Sequence, residues 1–497
     1  MEKIKSAKLN LISMLVCQAV GILSGFILPR LILVTFGSEV NGLTSSLAQF
    51  LSYISLFEGG VSTVFTTCLY APLEQKDEHR ISSIVKTSTN FFNKLGLMFL
   101  FYTCGVAVIY PVFVKSDFSI AYVASLTFII AISTYAQYMF CISYKILLVA
   151  DNKGHVVYFI QAACYFGSLI ASIIAIKLYP SIHLVKLVSS IFFFIQPIIF
   201  SRYARKKYDI DSNVEMDEEA SYQKWSGFGQ NFATFIYRNT DIVVLTIFST
   251  LTSVSVYSVY YMILNAVREF VKSAVVALTP SIGNTYVLGD SDLSNRAYDK
   301  LEYIVFASTA FMFSCAAALM MPFIAIYTRG INDAEYFQPL FGFLLLAAFA
   351  IECIREPYLQ LTFIAGHFRE TSLYAYIEAL LNVCISVAAV SRYGLIGVAV
   401  GTLFAVTFRT MALAWYNKSH VLYRPIGRWS GQVVLLGVIV IFTGVLFSKI
   451  LIIDVSNYLA WVLYAVIVAL ASILLILFVS LIFFREQLVE ITKMIRH

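Results

Sequence analysis

Long apolar runs separated by short polar turns organise the whole chain. They predict fourteen membrane-spanning helices, at about 9–34, 43–68, 93–114, 119–150, 157–178, 182–201, 226–249, 253–283, 301–327, 338–365, 373–391, 394–417, 431–452 and 457–484. Each is near or above the roughly 20 residues a spanning helix needs. The runs are continuous rather than alternating, which predicts helices and not the strands of a membrane barrel. The expected fold class is an all-α polytopic membrane protein of about 14 transmembrane helices. An even count puts both termini on one side.

Composition agrees. Hydrophobic residues make up 59% and charged residues 13% of 497 positions, about half the charge of a soluble domain. Mean hydropathy is +0.80. Placing the N-terminus inside puts 22 of the 35 cations on the cytoplasmic side. Only Lys115, Lys177, Lys186, Arg329, Arg392 and Lys449 then lie outside. By the positive-inside rule this predicts N-in and C-in. The net charge of +6 is then a topology signal, and no nucleic-acid partner is expected. Lys3, Lys5 and Lys8 precede the first apolar run, but it is too long for a signal peptide and lacks a small-residue cleavage site.

The longest hydrophilic stretch, Ser201–Lys224, begins basic and turns acidic, which reads as a solvated, mobile linker. It divides the chain into an N-terminal six-helix lobe (1–200), a cytoplasmic linker (201–225), a C-terminal six-helix lobe (226–418) and two further helices with a tail (431–497). The lobes look related. Phe36-Gly37-Ser38-Glu39-Val40-Asn41-Gly42-Leu43 leads into a polar-faced span ending Leu69-Tyr70-Ala71-Pro72-Leu73. Phe248–Tyr257 likewise leads into a span ending Leu278-Thr279-Pro280. A shift of 214 positions pairs Ser38 with Thr252, and sets Glu58 opposite Lys272. Duplicated bundles around a midplane site are a common transporter architecture.

The first of these runs, with Asp77 following it, resembles bacterial polysaccharide flippases of the Wzx type. So does Arg238-Asn239-Thr240-Asp241-Ile242-Val243 followed by Val256-Tyr257-Ser258. These belong to the multidrug/oligosaccharidyl-lipid/polysaccharide exporter superfamily. The resemblance implies two pseudo-symmetric six-helix bundles plus two C-terminal helices in the bacterial cytoplasmic (inner) membrane. It implies alternating access and outward movement of a polyprenyl-diphosphate-linked oligosaccharide. A coupling ion, proton or sodium, and a polysaccharide polymerase as partner go with it. Its motifs are structural and bring no site residues, so these are read from their chemistry.

Arg268 and Lys272 stand one turn apart in an otherwise apolar span. They share a helix face, and charge at bilayer depth turns toward a bundle interior or wet cavity. Two readings stand. The pair could bind a diphosphate, which arginine meets with a planar fork and lysine as a point charge. It could equally form an ion pair across the lobes with Glu58. Arg30, Arg238, Arg355 and Arg409 are further cavity candidates, though Arg30 follows Pro29 near a membrane face and could snorkel. Arg238 with Asp241, and Glu352 with Arg355, have the i,i+3 spacing of local pairs. Burial disfavours a charged carboxylate, so Glu58, Asp241, Glu352 and Glu378 are candidates to exchange a coupling ion. Glu58-Gly59-Gly60 and Glu356-Pro357 mark bends beside a charge. Gln49, Gln137, Gln161, Asn231, Asn239, Asn265 and Asn382 could meet sugar hydroxyls or join helices.

No nucleotide loop, HExxH or G-x-S-x-G motif is present, so no enzyme activity, cofactor or catalytic residue is expected. Eight scattered cysteines lack ligand spacing and read as small core residues, with no metal expected. Within transporters, two alternatives remain. They are a cation-coupled multidrug exporter and a lipid-linked peptidoglycan precursor flippase of the same superfamily.

Overall fold

In a computed structural model, the described residues are 2–114, 117–140, 142–211, 213–217, 228–287, 291–422, 426–447 and 457–496. Lys115, Cys141, Glu218, Glu219, Lys224 and Lys449 lie outside them, and the side chain of Asn231 is likewise not described. Every regular element among the described residues is helical. The elements are α1 (Glu2–Ser52), α2 (Ser55–Glu58), α3 (Val61–Gln75), α4 (Glu78–Phe113), α5 (Ile120–Phe140), α6 (Ile142–Ala150), α7 (Gly154–Leu178) and α8 (Ile182–Lys207). Then come α9 (Phe228–Phe248), α10 (Leu251–Val287), α11 (Ser291–Tyr327), α12 (Pro339–Ile364), α13 (Phe368–Tyr393), α14 (Leu395–His420), α15 (Ile426–Val445), α16 (Tyr458–Phe483) and α17 (Arg485–Arg496).

Nine helices among the described residues are long and apolar enough to cross a membrane, and Ser430–Val445 forms a shorter apolar one. Their outer faces are apolar as well. Along α16, Leu459, Leu463, Leu470, Leu474 and Phe478 are all exposed, a contiguous stripe that water would not tolerate on a soluble monomer. The chain is a multi-pass membrane protein. Helices α9, α10 and α12 are not among the nine, and they carry Arg238, Asp241, Arg268, Lys272, Glu352, Arg355 and Glu356.

Hydropathy misses the breaks within helices. α1 kinks at Gly37, whose φ of 85° favours glycine. The second predicted span is interrupted after Glu58, where Gly59 (φ 49°) and Gly60 (φ 88°) both adopt left-handed conformations before α3 restarts. Hydropathy also misses helix outside the apolar core. α4 starts fifteen residues before its predicted span, where the Asp77 side chain accepts from the backbone N–H of Arg80 at 2.9 Å and caps it. The C-terminal α17 was expected only as a tail.

The described residues divide into two compact units. The first comprises Met1–Phe235 with Thr250–Ser255, and the second Ile236–Ser249 with Val256–His497. In the first, Phe65, Phe92, Phe99 and Leu147 are fully buried at the centre of one core cluster. Asn41 donates to Ser255 Oγ at 2.8 Å, and these are partners under the same 214-residue shift. Beside them, a Cβ on Gly42 would lie 1.8 Å from the carbonyl oxygen of Leu251. Backbone cannot yield as a flexible side chain does. Gly42→Ala is therefore expected to destabilise by at least the roughly 1–3 kcal/mol of ordinary overpacking. Thermal unfolding of the purified protein checks this, and an unchanged midpoint would refute that close approach.

The linker departs from the expected mobile segment. At 209–211 and 213–217 it is strapped along α4. Ser83 Oγ donates to the Glu215 carbonyl at 2.6 Å, Lys86 Nζ to that of Val214 at 2.8 Å, and the Asp217 N–H to Thr87 Oγ at 2.8 Å. Its charge pattern conceals most of this, because apart from Asp217, which lies 3.6 Å from Arg80, the holding groups are backbone carbonyls and N–H groups.

Candidate functional site

The second unit gathers the buried charges of five helices into one network. Its hub is Glu352 on α12, buried on all sides. Arg238 of α9 donates to Glu352 Oε1 at 3.0 Å, and Arg268 of α10 to Oε2 at 3.3 Å. Lys272 lies 3.8 Å from Glu352 and 3.3 Å from Glu356. Arg355, one turn along α12, approaches Glu352 at 3.8 Å and pairs with Glu378 of α13. Arg409 of α14 closes the chain on the other Glu378 oxygen at 2.6 Å. Low dielectric strengthens each pair, and each buried charge needs its partner.

Five cations therefore meet three carboxylates. Glu269 adds a fourth acid, 3.4 Å from Arg268, but its side chain is 56% exposed. The network keeps a positive surplus either way. Burial is graded along it. Arg355, Glu378 and Arg409 are essentially inaccessible, whereas Lys272 is 16% and Arg238 30% exposed. Arg268 is enclosed. Asn265 also accepts from it, and its guanidinium stands 5.1 Å from the Phe349 ring. The accessible cations are thus Arg238 and Lys272.

This revises the expected pairings. Arg268 and Lys272 do share a face, but acids of α12 in their own unit partner them. Arg238 and Asp241 do not form the local pair their spacing predicts. Arg238 reaches Glu352, and Asp241 turns to a separate buried cluster. Glu352 and Arg355 do approach each other as expected. Arg30 belongs to the first unit, half-buried on α1 beside Pro29.

Asp241 is held by neutral groups. Its Oδ2 accepts from Tyr257 and from Thr402, each at 2.8 Å, and its Oδ1 from Asn382 at 3.1 Å. Ser386 donates to Asn382 Oδ1 at 3.0 Å. No cation contacts this carboxylate among the described residues. Sequence reasoning named Asp241 and Asn382 but missed Tyr257 and Thr402, which lie on different helices. It also missed Glu302, a buried acid that accepts from the Tyr358 hydroxyl.

In the first unit, Glu58 accepts from Ser62 Oγ at 2.5 Å and lines a cavity of about 500 Å³. Gln137, Gln161 and Lys145 also line it.

No protein-family model and no curated protein sequence matches the chain. Solved structures do. One is a lipid II flippase, MurJ, in an inward closed conformation. It is 15% identical, covers 97% of this chain and 99% of its own, and gives a TM-score of 0.71. The fold is the MurJ and MATE fold. A eukaryotic MATE transporter matches at 13% identity over 88% of this chain and 100% of its own, TM-score 0.58. An inward-facing multidrug resistance MATE transporter of the MOP superfamily matches at 13% over 84% and 100%, TM-score 0.54.

Proposed function

We propose that the chain is a flippase that moves polyprenyl-diphosphate-linked oligosaccharide units from the cytoplasmic to the outer leaflet by alternating access, for surface polysaccharide assembly. In this reading it crosses the bacterial cytoplasmic membrane fourteen times with both termini inside. Its two six-helix lobes (1–200 and 226–418) flank the linker, and the two last helices follow. The observation that carries it is the positive surplus of the charge network, whose accessible ends are Arg238 and Lys272. A diphosphate suits that combination, since arginine binds it with a fork of donors and lysine with a compact charge. Arg268, Arg355 and Arg409 then position the hub and hold its charge rather than touching the headgroup.

The coupling ion, proton or sodium, is assigned to Asp241. Glu352 and Glu378 are clamped by cations, which leaves them ill suited to exchange an ion. Asp241 has only neutral donors, and a bound cation would offset the desolvation of its charge. Glu58, at a polar cavity, is the second candidate. The MATE likeness raises a multidrug cation exporter, but surplus positive charge repels organic cations. The whole-chain likeness to a lipid II flippase makes a peptidoglycan precursor the second reading.

The test is Arg238→Gln and Lys272→Gln, singly and together, with membrane expression confirmed. Each is expected to slow flipping of an undecaprenyl-diphosphate oligosaccharide in proteoliposomes about tenfold or more, the weight of a charged hydrogen bond. Surface polysaccharide should fall in step. Unchanged export in the double variant sinks the headgroup assignment. Depletion that accumulates peptidoglycan precursor while sparing surface glycan selects the second reading.

A further inference from the structure

The cavity of about 500 Å³ in the first unit shares no residue with the charge network and has its own chemistry. Its walls come from the α2–α3 break and from α5 to α8. The two glycines with positive φ end α2 directly after Glu58, which leaves this carboxylate on the cavity wall. The lining also includes Lys145, which has no ion-pair partner among the described residues. One carboxylate and one ammonium leave the lining neutral.

Three carboxamides complete it: Gln137 of α5, Gln161 of α7 and Gln196 of α8. None has a side-chain hydrogen bond within the described residues, although Gln196 is only 5% exposed. A buried polar group without a partner costs about 1–3 kcal/mol, so Gln196 calls for a hydrogen-bonding occupant. Gln137, which is exposed, and Gln161, which is half-buried, offer further hydrogen-bonding groups on the same lining. Each carboxamide offers both donors and an acceptor. Thr66, also in the lining, donates its hydroxyl to the Ser62 carbonyl at 2.8 Å, which leaves its oxygen able to accept. The volume falls within the roughly 300–1,000 Å³ of small-molecule pockets.

We propose that this cavity is a binding site for an uncharged saccharide unit, whose hydroxyls and amides pair with Gln137, Gln161 and Gln196 between Glu58 and Lys145. A sugar presents donors and acceptors at high density, matching groups that do both. An organic cation would meet Lys145 and leave the carboxamides unpaired. An acidic sugar would gain Lys145 but meet Glu58. The site stands on the cavity and not on the cationic network, so it and the flippase reading fail separately.

The experiment is equilibrium binding to the full-length protein in nanodiscs, by calorimetry and saturation-transfer NMR, without transport. The probes are N-acetylglucosamine and its β-1,4 trimer, glucuronate, and tetraphenylphosphonium. The neutral saccharides are expected to bind best. Gln137→Leu and Gln161→Leu are each expected to weaken them roughly 3–10-fold, the loss of one hydrogen bond. Gln137 is exposed to the cavity, so its replacement should leave the fold intact even if that of Gln161 does not. Preference for tetraphenylphosphonium or glucuronate, absence of saccharide binding, or affinity indifferent to Gln137→Leu would each overturn the assignment.

Discussion

Replacing Glu378 with leucine is expected to lose more folded protein than any other single change in the charge network. Glu378 is wholly buried and serves two arginines, Arg355 and Arg409, one on each oxygen. Its removal strands Arg409 with no partner and leaves Arg355 with only the 3.8 Å approach to Glu352. Breaking one side of a buried pair costs about 3–5 kcal/mol, because the remaining charge is uncompensated. The reverse change, Arg409→Leu, should cost clearly less. Arg409 already buries Nε and Nη2 without partners, and Glu378 would keep Arg355. The double variant should recover part of the Glu378→Leu loss, since a well-packed apolar replacement of a buried pair is often near neutral. Thermal unfolding of the detergent-purified variants, read as a double-mutant cycle, checks the order. Equal losses for the two single changes would mean that Glu378 does not serve both arginines.

The hydropathy pattern made the helices legible because a spanning helix must satisfy its backbone internally and its side chains by apolarity. It could not report helix lying outside lipid. The start of α4 was written in a different signal, the capping Asp77, and that of the Gly59–Gly60 break in two adjacent glycines beside Glu58. Apolar content carries no information about either. The same limit explains α9, α10 and α12. Their charges and polar residues lower the very signal that identifies spans, so three of the five helices that carry the network fall short of the nine, although their apolar runs still marked them as spans.

The site was partly legible for a related reason. Charged residues in apolar runs stand out singly, and Arg238, Arg268, Lys272, Glu352, Arg355, Glu378 and Arg409 all joined one network. Apart from the Glu352 and Arg355 pair, their partners were not legible, because spacing along one helix addresses only neighbours on that helix. Glu352 receives its cations from α9, α10 and α12, and Arg409 finds Glu378 across a helix boundary. Arg238 and Asp241 illustrate the failure. Three residues apart, they serve two different clusters, one ionic and one neutral. Thr402 gave no signal, and Tyr257 stood out only within the run Val256-Tyr257-Ser258 and not as a site residue, since threonine and tyrosine are ordinary in membrane helices and matter here through Asp241.

Asp241→Asn should separate folding from coupling in the way that Glu378→Leu cannot. The two hydroxyls that donate to Oδ2 would still find a carbonyl oxygen there. Only the contact from Asn382 would face a second amide N–H, the loss of one hydrogen bond of about 0.5–1.5 kcal/mol. No arginine or lysine is stranded, because none pairs with Asp241 among the described residues. The variant is therefore expected to purify as a folded protein with a near-native unfolding midpoint. Transport should change more sharply. The asparagine cannot carry a charge that a proton or sodium ion would neutralise, so an imposed gradient has nothing to act on at this position. In proteoliposomes, the rate under a pH or sodium gradient should fall to the rate without one, while gradient-independent exchange persists. If gradient-driven transport survives in a well-folded Asp241→Asn protein, the coupling site lies elsewhere. Glu58, the other candidate carboxylate without an arginine or lysine ion pair among the described residues, would then be next, and Glu58→Gln under the same gradients would decide it.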